Sequence, residues 1–109
     1  MKIRFDEINE NVLEHFKGGD GALKARMVAD EVNRFMRATL APGSSIGMHT
    51  HEDSCEILYV LSGVGTVIME GVEEILQVGD AHYCPKGCTH TLKNLGDEDL
   101  VFFAVIPKQ

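Results

Sequence analysis

Hydrophobic residues recur along this chain in short runs, and nearly every run ends at a turn signal. The runs are Leu23–Val28, Arg34–Leu40, Gly47–Thr50, Cys55–Leu61, Gly65–Met69, Glu73–Val78, Ala81–Cys84, His90–Asn94 and Leu100–Ile106. Between them stand Pro42-Gly43, Ser62-Gly63, Glu70-Gly71, Gly79-Asp80, Pro85-Lys86-Gly87 and the polar stretch from Asn94 to Asp99. Short apolar runs punctuated by glycine and proline predict strands, and many such strands in one small chain predict an all-β sandwich or barrel. Only Asp6 to Phe16 carries a helical signal, because Ile8, Val12, Leu13 and Phe16 fall on one face of a helical period. The cluster Gly18-Gly19-Asp20-Gly21 ends that stretch and reads as a flexible turn. It is no phosphate loop, since no Lys-Ser/Thr follows it and no strand–turn–helix context surrounds it. Residues 1–21 therefore form a short N-terminal extension to a single β domain spanning 1–109.

The run Cys55–Leu61 is apolar on both faces, with Glu56, Leu58 and Val60 on one side and Cys55, Ile57, Tyr59 and Leu61 on the other. A strand buried on both sides needs cover on both sides. The opposite sheet supplies one cover. The other comes from a partner subunit, making a homodimer, or from the chain's own N-terminal segment.

Composition narrows the function. The chain has 109 residues, 17 acidic against 10 basic, and a net charge of −7. A clustered positive patch for nucleic acid is not expected in such a chain. No apolar run approaches the length of a membrane span, and Met1-Lys2-Ile3-Arg4-Phe5-Asp6 lacks the order of a signal peptide. The expected location is cytoplasmic, where Cys55, Cys84 and Cys88 are reduced thiols and not a disulfide framework.

The candidate chemistry lies between Gly43 and Asn94. His49 and His51, two apart, project from the same face if they share a strand. Glu56 stands at an odd offset from His51, so one uninterrupted strand would face it away. The polar Glu52-Asp53-Ser54 is able to turn the chain and let Glu56 begin the next strand pointing back at the pair. His90 follows Pro85-Lys86-Gly87, a turn that feeds a new strand. Three imidazoles and one carboxylate make a mixed nitrogen and oxygen site suited to one divalent transition metal: Fe, Mn, Zn, Ni or Co. A His-x-His pair alone occurs by chance; the added Glu and third His make it specific.

With those residues in view, the chain resembles a cupin. Gly43, His49-Thr50-His51, Glu56 and Gly63 fill the fixed positions of the first cupin motif, and Gly79, Pro85-Lys86-Gly87, His90 and Asn94 fill those of the second. The short spacer from Val64 to Val78 is the kind found in small bacterial cupins. The resemblance implies a double-stranded β-helix, or jelly-roll barrel, with His49, His51, Glu56 and His90 as metal ligands, and a dimer. It implies no particular reaction, because one fold hosts many chemistries.

Three further residues are weak candidates for the pocket. Arg37 clamps a carboxylate bidentately if it faces inward, or pairs with a surface acid if it faces outward. His82 is a proton carrier or a satisfied barrel histidine. Cys88, which shares the parity of His90, faces the metal or is a small buried residue. Two functions fit. One is a metalloenzyme acting on a small organic acid or oxygenated metabolite by decarboxylase, dioxygenase or isomerase chemistry; Glu52 and His82 are its candidate proton donors. The other is a non-catalytic binder or sensor of such a ligand. A metal that merely staples the fold is a third reading, disfavoured because structural sites are coordinatively closed. A divalent ion on three neutral imidazoles and one carboxylate keeps a net positive charge, so an anionic ligand is compatible with the acidic surface.

Overall fold

Alternation assigns the faces of the strands as well as their existence. In the computed structural model, which describes residues 1–109, strand β3 (Asn33–Leu40) buries Met36, Ala38 and Leu40 and turns Phe35, Arg37 and Thr39 to the other side. Strand β5 (Glu56–Ser62) buries Glu56, Leu58 and Val60 in the same way. The remaining strands are β1 (Asn11–Glu14), β2 (Ala22–Ala29), β4 (Ser45–Thr50), β6 (Gly65–Met69), β7 (Val72–Leu76), β8 (Ala81–Cys84), β9 (Thr89–Lys93) and β10 (Leu100–Pro107). They form a six-stranded sheet in the order β1-β2-β3-β10-β5-β8 and a four-stranded sheet in the order β4-β9-β6-β7, all pairs antiparallel. Leu23, Met36, Leu40, Leu58, Val60 and Phe102 from the larger sheet meet Ile46, Val67, Leu76 and Leu92 from the smaller one in a single core. The architecture is the expected jelly-roll barrel. No helix is long and apolar enough to cross a membrane.

The helical expectation for Asp6–Phe16 is wrong. Phe5–Glu7 and Phe16–Gly18 are single 3₁₀ turns, and between them β1 pairs with β2 from Asn11↔Ala25 to Glu14↔Ala22. So short a helix is marginal in water without tertiary support, whereas the free edge of β2 offers ladder partners to the backbone groups along one edge of β1. Leu13 still packs against the core while Val12 is exposed, so two apolar positions of the helical stripe end on opposite faces of a strand.

The glycine cluster is a docked turn, not a flexible one. Ser45 donates its amide to the Asp20 carbonyl at 2.9 Å, and the Ser45 hydroxyl accepts the Asp20 amide at 2.9 Å. A Cβ on Gly47 would collide with the Lys17 carbonyl, and one on Gly19 with the Ser45 carbonyl. The two backbones thus touch where neither residue has a side chain, which brings Phe16 and Lys17 over the end of β4.

The N-terminal segment does not cover the outer face of β5. Phe5 packs edge-on against Phe35 and Phe103, with ring centroids 6.3 and 6.0 Å away. Asp6 is held there by Arg37 at 2.6 Å, and Arg26 donates to the Ile8 carbonyl at 2.6 Å. Ile57, Tyr59 and Leu61 are left exposed beside Tyr83 of β8.

Replacing Gly47 by Ala should cost about 1–3 kcal/mol of stability, the usual toll of overpacking, because both colliding groups are backbone. Urea denaturation of the variant checks this; a midpoint equal to that of the parent chain would show that the 17–19 turn does not rest on β4.

Candidate metal centre

Each potential ligand is placed by an element whose geometry follows from its neighbours in sequence. His49 lies on β4 directly opposite His90 on β9, beyond an irregularity that separates it from the Ile46↔Leu92 pair. His51 lies one residue past the end of β4, where the second motif holds its backbone. Its amide donates to the Cys88 carbonyl at 3.1 Å, and its carbonyl accepts the Gly87 amide at 2.6 Å. Gly87 sits at φ +87°, a left-handed conformation that suits glycine, so Pro85-Lys86-Gly87 turns tightly enough both to clamp His51 and to start β9 one residue before His90. Glu52–Ser54 reverses the chain as expected, and Glu56 opens β5 on the inward parity of Leu58 and Val60. Asn94, fully buried, fastens the far end: its side-chain amide donates to the carbonyls of Leu40 and Glu98, each at 2.8 Å.

The four side chains meet inside the barrel, with one ligand atom from each lying within 4.8 Å of all the others. Nε2 of His51 is 3.0 Å from Oε1 of Glu56 and 3.0 Å from Nε2 of His90, which is itself 3.2 Å from the same Glu56 oxygen. His51, Glu56 and His90 are buried and His49 is half-buried. Each ring also has its Nδ1 occupied by an outward partner. His49 Nδ1 is 2.8 Å from the Gly47 carbonyl, His51 Nδ1 is 3.1 Å from the Ser54 hydroxyl, and His90 Nδ1 is 2.9 Å from Nε2 of His82. When an ion takes the place of the Nε2 protons, an Nδ1–H spent outward leaves each Nε2 lone pair free to point at one place. This is how metal-ligating histidines are held, and the residues present fit a divalent ion.

The protonation states agree. Burial pulls His49 below the ordinary imidazole value, only partly opposed by the Gly47 carbonyl. Burial alone would push the Glu56 carboxyl up, but in the metal-free chain the Nε2–H groups of His51 and His90 donate to it, prevail and hold it at about 2. Neutral imidazole and ionised carboxylate are the forms that bind metal.

A cavity of about 220 Å³ opens onto His49, His51 and Glu56. Met27, Met36, Ile46 and Ile106 give it apolar walls, and Lys17, Arg34, Glu52 and Asp53 give it polar ones. A polar groove of about 290 Å³ lies alongside, between Ala29–Arg34 and Lys108, and contains none of the four ligands.

Arg37 is not in the cavity: it faces outward and binds Asp6. Arg34 is the arginine of β3 that reaches the site. The signal was available, since Arg34 shares the parity of Met36, Ala38 and Leu40 whereas Arg37 shares that of Phe35 and Thr39. His82 is buried behind His90 and does not line the cavity. The Cys88 thiol is not among the converging donors; the residue acts through its carbonyl, which also lies 3.7 Å from the Cys84 thiol. Burial pushes the Cys84 thiol up to about 12, which leaves it unreactive.

Residues 36–106 match the family model described as cupin domain. The chain is 35% identical to an oxalate-binding protein of Thermotoga maritima over 97% of this chain and 93% of that one. It superposes on a crystal structure from the same organism, described as that of a predicted oxalate decarboxylase, with a TM-score of 0.94 and 32% identity over the whole of both chains. A Cupin 2 conserved barrel domain protein of Salinispora arenicola gives a TM-score of 0.76 at 26% identity, over 97% of this chain and 87% of that one.

The pH dependence of the metal-free protein follows from Glu56. Its folded-state value lies below the ordinary 4.5, so its contribution to stability is complete above about pH 4.5 and is lost as the pH falls toward 2. Thermal unfolding from pH 6 to pH 2 should show Tm falling across that window, with Glu56→Gln making the fall shallower. The remainder comes from Asp6, lowered by Arg37, and Asp30, lowered by the Asn33 and Val32 amides. An unchanged slope in the variant would show that Glu56 is not paired with the histidines.

Proposed function

The chain belongs to the cupin family, and from that premise we propose that His49, His51, Glu56 and His90 hold one divalent transition metal at which the protein binds a small carboxylate. The observation that carries this reading is the convergence of one donor atom each from His49, His51, Glu56 and His90, three of which line a cavity of about 220 Å³. An ion bound by four protein donors supplies Lewis acidity and open coordination positions for a ligand's oxygen atoms.

The chain's own residues define what enters. Met27, Met36, Ile46 and Ile106 give the ligand's flanks apolar cover, and the volume suits a small molecule. The Arg34 side chain makes no ion pair, and the side-chain hydrogen bonds that arginines make in this chain are those of Arg26 to Ile8 and Arg37 to Asp6, so its guanidinium is available at the mouth to take a second carboxylate. Lys17, carried there by the docked N-terminal turn, adds positive charge. A short dicarboxylate satisfies both ends of this arrangement, and the oxalate-binding relative supports that class.

Turnover is a second reading, favoured by Glu52. Loss of CO₂ from a dicarboxylate leaves a carbon that must take a proton, and Glu52 is a carboxyl group lining the cavity next to His51. The structural relative described as a predicted decarboxylase supports that chemistry. The protein is further proposed to work as a homodimer, in which a second copy covers Ile57, Tyr59, Leu61 and Tyr83. Its three free thiols suit a reducing compartment.

Metal analysis of the purified protein should find one divalent ion per chain, and calorimetry should show oxalate binding only when the ion is present. His51→Ala should lose both, and Arg34→Ala should keep the metal while weakening oxalate about tenfold, or roughly 1.4 kcal/mol. Assays for CO₂ and formate separate turnover from binding. A chain that takes up no metal, or a loaded chain indifferent to every short carboxylate, would contradict the reading.

A further inference from the structure

Behind the converging donors lies a histidine that the proposed function leaves unused. His82 is 6% exposed. Its ring stacks on that of His90 with centroids 5.2 Å apart and planes inclined by 27°, and its Nε2 lies 2.9 Å from Nδ1 of His90. It is neither one of the four donors nor part of the cavity wall. Strand register places it opposite Leu58 on β5, in the six-stranded sheet, whereas His90 faces His49 and Met69 in the four-stranded sheet. The contact therefore ties the two sheets together at the metal centre.

The other two rings are oriented locally. His49 leans on the carbonyl of Gly47 and His51 on the hydroxyl of Ser54, each within three residues. His90 has no such local partner, and its Nδ1 meets a ring whose Nε2 can either donate or accept. If His82 donated, Nδ1 of a neutral His90 would be the acceptor and the His90 proton would sit on Nε2, blocking the lone pair that faces Glu56 and His51. If His82 accepts, His90 keeps its proton on Nδ1 and presents a bare Nε2 to the centre.

We infer that His82 is the positioning residue of the metal centre: when the ion is bound, its Nε2 accepts a hydrogen bond from Nδ1–H of His90 across the barrel, fixes the metal-binding tautomer and orientation of that ring, and so sets the affinity of the site. The inference rests on the metal-site reading given above. Outer partners of ligating histidines typically contribute ten- to hundredfold to metal affinity, and this one reaches the Nδ1 side of a ligating imidazole from the larger sheet.

The test is a Zn²⁺ titration against a chromophoric chelator, using the full chain, with folding checked by thermal unfolding. His82→Leu should weaken Zn²⁺ about ten- to a hundredfold while keeping one site per chain. His82→Gln, whose side-chain oxygen reaches the same position as an acceptor, should stay within a few-fold of the parent. Nitrogen-15 NMR of the Zn²⁺-loaded parent provides a readout that needs no variant to fold: the His90 Nδ1 should carry a proton, shifted downfield by its bond to His82. A parent chain that binds no Zn²⁺ overturns the metal-site reading. A folded His82→Leu variant with unchanged affinity, or a His90 Nδ1 proton without the downfield shift, overturns the role of His82 and leaves the site itself standing.

Discussion

Burying the Glu56 carboxylate inside a barrel is the constraint around which this structure is arranged. An ionised carboxyl removed from water costs many kcal/mol unless it is paired, and Glu56 is only 4% exposed. Its compensation comes from His51 and His90, residues far from each other in sequence and carried by the smaller sheet and its end, while Glu56 begins a strand of the larger one. The two sheets must therefore meet in one register, with β4, β5 and β9 all delivering their polar residue to the same point. The outward bonds of the three Nδ1 atoms complete the arrangement, because a ring free to rotate would not hold its Nε2 against the carboxylate.

The apolar core makes that register affordable. Leu58 and Val60 follow Glu56 on its own face of β5, and Leu92 lies two residues from His90 on β9, so the residues that fix the polar cluster are continuous with those that bury the most apolar surface. At the other end of the site the N-terminal segment closes the mouth through a backbone contact between Gly19 and Gly47. Gly47 thus has two roles: it admits the Lys17 carbonyl, and its own carbonyl orients His49.

Much of this was legible in the sequence because it is local. Period-two alternation marks a strand and its inward face together, which is why the nine expected strands are all present with ends displaced by only a residue or two. The four ligands were legible through spacing: His49 and His51 by parity, Glu56 by the turn before it, and His90 by the proline-glycine turn that precedes it. What failed was decided by partners distant in sequence. The Asp6–Phe16 stripe satisfies a helical period, but the edge of β2 decides the matter. Arg37 takes the outward of the two readings open to it, and its pairing with Asp6 depends on where the N-terminal turn docks, while the cavity arginine is Arg34. The contact between His82 and His90 joins two sheets, and no spacing rule reveals it.

The most direct test of this account is anomalous diffraction from crystals grown with Zn²⁺ and recorded at the zinc absorption edge. The account predicts one ion per chain at bonding distance, about 2.0–2.2 Å, from the Nε2 atoms of His49, His51 and His90 and from an oxygen of Glu56. An ion held through any Nδ1 atom, one placed outside this cluster, or a cluster that stays empty while the crystal contains zinc would contradict it.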